Sequence, residues 1–225
     1  MLLGIGALAA IAVGARAFRP GRSGVAPVAP VLPSPPPAPQ PPAPPGIVLH
    51  SSSSPATVHG VPIDAARLDR IHQRDHPDWA ITYEGKTYYI GYHYVILPDG
   101  TIQKGRPDFC PGAHARKHND WIGICVIGAF SAKNNPHWWP HVPTDAQVRS
   151  VVSLCEELMS KYHIPPSQVK RHRDVNGTYC PGGRFPYRDI LAELELYAAM
   201  HPECQPVNPP AAPAPPSALP ARNPR

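Results

Sequence analysis

The chain has no CxxC pair, and its five cysteines (Cys110, Cys125, Cys155, Cys180 and Cys204) are odd in number. That excludes reading a zinc ribbon or a disulfide framework from the cysteines alone. A glycine-rich phosphate loop is also missing, so nothing calls for a nucleotide cofactor. No internal repeat is visible. Acidic residues are absent from residues 1–46 and 205–225. Five arginines lie in those flanks, Arg16, Arg19, Arg22, Arg222 and Arg225, and they equal the whole formal net charge of +5. The stretch between is therefore neutral. A nucleic-acid binder would concentrate basic charge on its folded part, so no nucleic acid is expected as a partner.

A membrane-spanning run is lacking as well. Residues 2–15 are apolar, but fourteen helical residues span only roughly 21 Å against a hydrocarbon core of ~30 Å. The length suits a signal-peptide core, and Ala15-Arg16-Ala17 has the small-x-small form of a cleavage site. No Lys or Arg precedes the run and three Arg follow it, an order that favours retaining the following chain in the cytoplasm. Residues 1–18 therefore read as a signal peptide or membrane anchor. A long spacer behind them suits reaching out from a membrane, which places the chain, expected as a monomer, at the cell envelope.

Proline is what the sequence has in excess, 34 residues. Residues 19–46 form a Pro-rich linker and 205–225 a Pro-rich, disordered tail, because such runs neither donate regular backbone hydrogen bonds nor show helix or strand periodicity. Residues 47–204 remain, 158 in all, enough for one domain with its own core. Within them "GIVLH" reads as a buried strand ending at His50. "SSSSPATVHG" follows as a loop. Asp64 can cap a helix running to about Asp75. "YYIGYHYVILPDGTIQKGR" predicts a hairpin turning at Asp99-Gly100. "WIGICVIGAF" reads as a central strand. Thr144 and Gln147 form a capping box ahead of a helix, "VKRHRDV" is a strand edge delivering His172 into a loop, and "YRDILAELELYAAM" is a last helix. Alternating elements of this kind predict an α/β (α+β) domain with a central mixed sheet flanked by helices.

Chemistry concentrates on few residues. His72 and His76 have helical i, i+4 spacing, but position 73 is Gln, so the general base of a metalloprotease helix is missing, and a plain helix face is the simpler reading. His137 and His141 read as surface-loop residues. His50 and His172 each follow a strand, where α/β sheets build their sites. Cys180 precedes Pro181-Gly182-Gly183, which fixes a turn. Two His and one Cys make an open three-ligand zinc site, with one position left for water. On spacing alone, unrelated core residues explain them equally well.

Five blocks in order, "IVLHSSS", "GYHYVILPDGTIQKGR", "GAHA", "IGICVIGAF" and "HRDVNGTYCPG", resemble the zinc-dependent N-acetylmuramoyl-L-alanine amidases of the peptidoglycan recognition protein fold, a group that includes the amidase-type phage lysozymes. The resemblance runs from about residue 47 to 200. It implies His50, His172 and Cys180 as ligands of Zn2+. It implies Tyr92 as the active-site tyrosine, and Thr178 at a position where some relatives carry lysine and the recognition-protein amidases carry threonine. His114, and Asn119 with it, would contact substrate in the groove. Peptidoglycan or muropeptides would be the substrate, with a non-catalytic peptidoglycan-binding module as the alternative. His93, one residue from Tyr92, should face the other way and serve packing.

Overall fold

The computed structural model describes residues 42–131 and 142–204. The expected signal or anchor, most of the Pro-rich linker, the Pro-rich tail and the His137/His141 pair lie outside the described residues. No helix among the described residues is long and apolar enough to cross a membrane.

In chain order, β1 (Ile47–Ser51) leads to a small ribbon of β2 (Thr57–Val58) and β3 (Val61–Pro62), then to α1 (Ala65–Asp75). A hairpin of β4 (Ile81–Tyr83) and β5 (Lys86–Tyr88) precedes a second hairpin, β6 (Tyr94–Ile96) and β7 (Ile102–Lys104). There follow β8 (Ile122–Val126), α2 (Asp145–Tyr162), β9 (Val169–Arg171), the single turn α3 (His172–Val175) and α4 (Tyr187–Met200). Five strands make one sheet in the order β7-β6-β8-β1-β9. Among the described strands of this sheet only β6 and β7 pair antiparallel; β6–β8, β8–β1 and β1–β9 are parallel. The mixed sheet is thus as the sequence predicts. Its two most apolar runs, β1 and β8, are buried along their whole length, as strands covered on both faces must be.

The pleat sorts side chains into two sets. Ile47, Leu49, Ile122, Ile124, Tyr94 and Ile96 face α2 and α4, which supply Val151, Leu158, Ile190 and Leu194 to the main core. His50 lies in register with Cys125, and Cys125 with Val95, on the opposite face. That face carries a smaller apolar cluster with Ile63, Leu68 and Ile90, and Tyr92 packs against it. The core therefore lies on one side of the sheet and the chemistry on the other.

Local capping fixes the helices. The Asp64 carboxylate accepts from Arg67 N at 2.7 Å. Thr144 Oγ1 accepts from Gln147 N at 3.1 Å, and Gln147 Oε1 accepts from Thr144 N at 3.1 Å. The buried Gln147 amide then donates to the carbonyls of Ile96 and Ile127, at 3.3 and 2.9 Å, and so docks α2 on the ends of β6 and β8.

Three local expectations change. The tyrosine-rich run is divided, because Tyr88 ends a separate hairpin turning at Glu84-Gly85, both at positive φ (47° and 77°). The stretch after β1 includes the β2–β3 ribbon, closed by His59 and Gly60 at positive φ. His172 opens a helical turn instead of a loop, because Asp174 Oδ2 accepts from Arg171 N at 2.9 Å and caps that turn.

A buried carboxylate ties α2 to the loop after β7. Asp108 accepts from Tyr94 OH at 2.7 Å, Tyr162 OH at 2.7 Å and Lys161 Nζ at 2.9 Å. Burial acts to raise its pKa, but the bonds from Tyr162, Tyr94 and Lys161 outweigh it and hold the carboxyl below its ordinary value. The Lys161 side chain is 48% exposed, so the tyrosine hydroxyls carry most of the stabilisation. A depressed carboxylate stabilises the fold above its unfolded pKa of about 3.9, and that contribution is lost as pH falls through the lower folded value. Asp108→Asn should cost about 1–3 kcal/mol at neutral pH. Thermal melts of both proteins should begin to converge as pH falls below about 4 and meet only below the depressed folded value; a gap that stayed constant with pH would refute the charge-based account.

Candidate metal centre and groove

β1 and β9 are parallel neighbours, and both run toward the same end of the sheet. His50 is the penultimate residue of β1, and His172 follows β9 directly. Their rings lie 4.5 Å apart, centroid to centroid. Cys180 reaches the same place from the turn after α3, where Arg173 N donates to Cys180 O at 2.9 Å. The turn needs Gly182: its φ is +113°, and an added Cβ would stand 2.3 Å from the Phe130 carbonyl carbon. One ligand atom each from His50, His172 and Cys180 fall within 4.8 Å of one another.

The protonation pattern follows from a hydrogen-bond chain. A carbonyl can only accept, so His114 Nε2 donates to Trp121 O at 3.0 Å. His114 Nδ1 is then a bare acceptor and takes the Nε2 proton of His50 at 3.1 Å. That leaves the His50 Nδ1 lone pair facing Cys180 Sγ, 3.8 Å away. Two ligands on a tetrahedral zinc, at ~2.0 Å for nitrogen and ~2.3 Å for sulfur, stand about 3.5 Å apart. The donor set and its spacing fit that ion.

Electrostatics keep the imidazoles neutral, as metal ligands must be. Burial pushes His50 well below the ordinary imidazole value, and the rings of His114, His172 and His93 add to the effect. Burial, with His93 next, lowers His114 to about 3. Burial also lowers His172, while Asn176 acts in the other direction. The Cys180 thiol is raised by burial, opposed by hydrogen bonds from Ser51. Ser51 N donates to Sγ at 3.3 Å, a contact that a thiolate would strengthen.

Tyr92 packs its ring 5.2 Å from that of His50. Burial, with Cys125 and Cys180 nearby, drives its phenol well above the ordinary value, so it is a proton-bearing donor at neutral pH. Thr178 Oγ1 accepts from Cys180 N at 3.2 Å, which leaves its own proton to donate. His93, expected to face away from Tyr92, has its ring 5.6 Å from that of His114, which the Tyr92 ring approaches at 6.3 Å. Its Nδ1 accepts from Gly123 N and its Nε2 donates to Cys110 O, both at 2.9 Å, which fixes it as a packing residue.

A cavity of about 530 Å³ is lined by Trp79, Arg106, His114, Arg116 and Asn119 among others, and His114 is the residue that joins it to His50. His114 and Asn119 do border it, but their polar atoms are largely committed. Both His114 nitrogens serve the chain above, and Asn119 Oδ1 accepts from His114 N and Ala115 N, each at 3.0 Å. Both thus shape the groove and brace His50. Gly123 makes room for this, since an added Cβ would meet the His114 ring at 2.5 Å. The His72/His76 pair makes no metal cluster with other described residues: His72 Nδ1 accepts from Gly91 N at 3.1 Å, and His76 stacks on Trp79 at 4.0 Å. All five cysteines are unpaired.

Sequence reasoning missed Arg106. It is 3% exposed and forms no ion pair with a carboxylate among the described residues. Its guanidinium donates to the carbonyls of Ile90, Pro111 and Trp79, gathering three loops around the cavity. No local pattern announces such a role, because those carbonyls come from three separate loops.

A mixed sheet that gathers two histidines and a thiol at one end presents a group that could hold a metal ion. The comparisons narrow this. The profile of the N-acetylmuramoyl-L-alanine amidases (Amidase_2) matches residues 40–183, and the chain belongs to that family. It is 32% identical to the N-acetylmuramoyl-L-alanine amidase LysC from Clostridium intestinale URNW, with a TM-score of 0.53, over 68% of this chain and 86% of that one. It is 36% identical to the endolysin of Enterobacteria phage T3 over 41% of this chain and 58% of the relative. It is 32% identical to peptidoglycan-recognition protein LB of Drosophila melanogaster over 62% of this chain and 55% of the relative. The chain thus spans little more than half the length of these two curated relatives.

Proposed function

We propose that this chain is a zinc-dependent amidase that hydrolyses the bond between N-acetylmuramic acid and L-alanine in peptidoglycan, and that it works at the cell envelope. One observation carries the reading: in a member of the amidase family, His50, His172 and Cys180 converge, with the His50 tautomer set by His114, which also lines the groove. His50, through Nδ1, and His172 and Cys180 would hold the ion. Zinc, when bound, polarises an amide carbonyl and lowers the pKa of water toward about 7.

The remaining work falls to the chain itself. His114 holds the His50 proton on Nε2, so Nδ1 stays a ligand. Ser51 N–H supports the sulfur of Cys180 as thiolate. Tyr92 and Thr178 supply hydroxyl protons to the oxygen that gains charge as the amide carbon becomes tetrahedral. Arg106 keeps the groove open by holding its loops, and the groove orients the stem peptide so that the scissile bond lies over the ligands.

The deciding experiment incubates the full chain with purified peptidoglycan, with and without chelator, and scores new L-alanine amino termini. Chelator-sensitive appearance of those termini is expected. Folded, zinc-loaded protein that binds wall without releasing peptide would instead be a recognition module.

A further inference from the structure

We propose that Asn176 is a positioning residue that holds the His172 imidazole in its ligating tautomer and couples it to the groove loop. The inference rests on the metal reading above. Asn176 stands four residues after His172, at the end of α3, and its N–H donates to His172 O at 2.9 Å. The i, i+4 spacing puts both side chains on one face of that turn. Asn176 Nδ2 donates to Arg116 O at 3.1 Å, 60 residues away. Asn176 Oδ1 is buried and has no hydrogen-bond partner of full geometry among the described residues.

A buried acceptor without a donor is costly, and the Asn176 side chain acts on the His172 ring by a hydrogen bond that opposes the effect of burial there. A histidine that ligates through one nitrogen carries a proton on the other. Ligating histidines usually give that proton to an oxygen, which fixes the ring's orientation and raises its basicity. His50 already has such a partner in His114. Asn176 supplies the equivalent for His172. The result is a closed circuit: His172 to Asn176, Asn176 to Arg116, Arg116 along the loop to His114, and His114 to His50. Both histidine ligands are thereby referenced to one loop, and that loop lines the groove.

The test measures zinc affinity by chelator competition, together with the melting temperature of the metal-free protein, for the full chain and two variants. Asn176→Ala should bind zinc about 10–100-fold more weakly, with metal-free melting close to that of the unsubstituted chain. Asn176→Asp keeps the acceptor oxygen and should recover most of the zinc affinity, although it loses the donor to Arg116. Zinc binding by Asn176→Ala within about threefold of the unsubstituted chain would overturn the role. So would Asn176→Asp as weak as Asn176→Ala, which would mean that the acceptor is irrelevant. Failure of the unsubstituted chain to bind zinc would be a different result, removing the metal reading and this role with it.

Discussion

Cys180→Ser should strip the protein of most bound zinc and most turnover. A thiolate is a soft, charged ligand, whereas a serine hydroxyl is neutral and far poorer for zinc. The loss should exceed the ~10–100-fold typical of removing an outer partner of a ligand, because the ligand itself is gone. The fold should survive in the metal-free state. Cys180 is held there by weak contacts from Ser51 and by a turn whose geometry belongs to Gly182 and the Phe130 carbonyl. Metal content by atomic absorption, beside peptide release from peptidoglycan, reads both effects. Full metal content with full turnover would show that the sulfur is not a ligand.

Tyr92→Phe should give the opposite split: zinc bound as before, with kcat reduced about 100–1,000-fold. Removing one donor to a developing oxyanion costs roughly 2.7–4 kcal/mol in comparable sites. The ring keeps its place against His50 and the small apolar cluster. The lost hydroxyl faces Cys125, whose sulfur is only a weak acceptor, so folding stability should change little. KM should stay near its original value, since the interaction is made mainly in the transition state. A variant with unchanged kcat would relieve Tyr92 of a catalytic part and leave Thr178 as the remaining donor.

The elements that carry the candidate site were legible wherever the signal is local, whereas the ligand set itself came from the family resemblance. His50 ends an apolar strand, Cys180 precedes a Pro-Gly-Gly turn, and Thr144 with Gln147 spells a helix start; each signal lies within a few residues of its effect. The central strands were legible because continuous apolar runs have one comfortable place, the middle of a covered sheet. What escaped depends on distant approach. His114 reads as a groove residue until β8 brings it against His50, 64 positions away. Arg106 and Asn176 are ordinary polar residues until the loops around them close. The β4–β5 hairpin was hidden because Tyr88 continues the aromatic pattern of the next hairpin. Only the backbone conformation at Glu84-Gly85 divides the two.

One consequence of the sheet order concerns the timing of local opening. His50 lies on β1, in the interior of the sheet, whose amides should exchange with solvent only when the whole domain unfolds. Cys180 sits outside the sheet, in a turn flanked by exposed Tyr179 and Gly183, and such a segment should open locally at lower cost than a central strand. An ion that grips both unites segments 130 positions apart in the chain, and closing so long a loop removes much freedom from the unfolded ensemble. Loading with metal should therefore raise this turn toward the protection of the buried strand. The same turn, without metal, is where proteases and exchanging deuterium should find the molecule first.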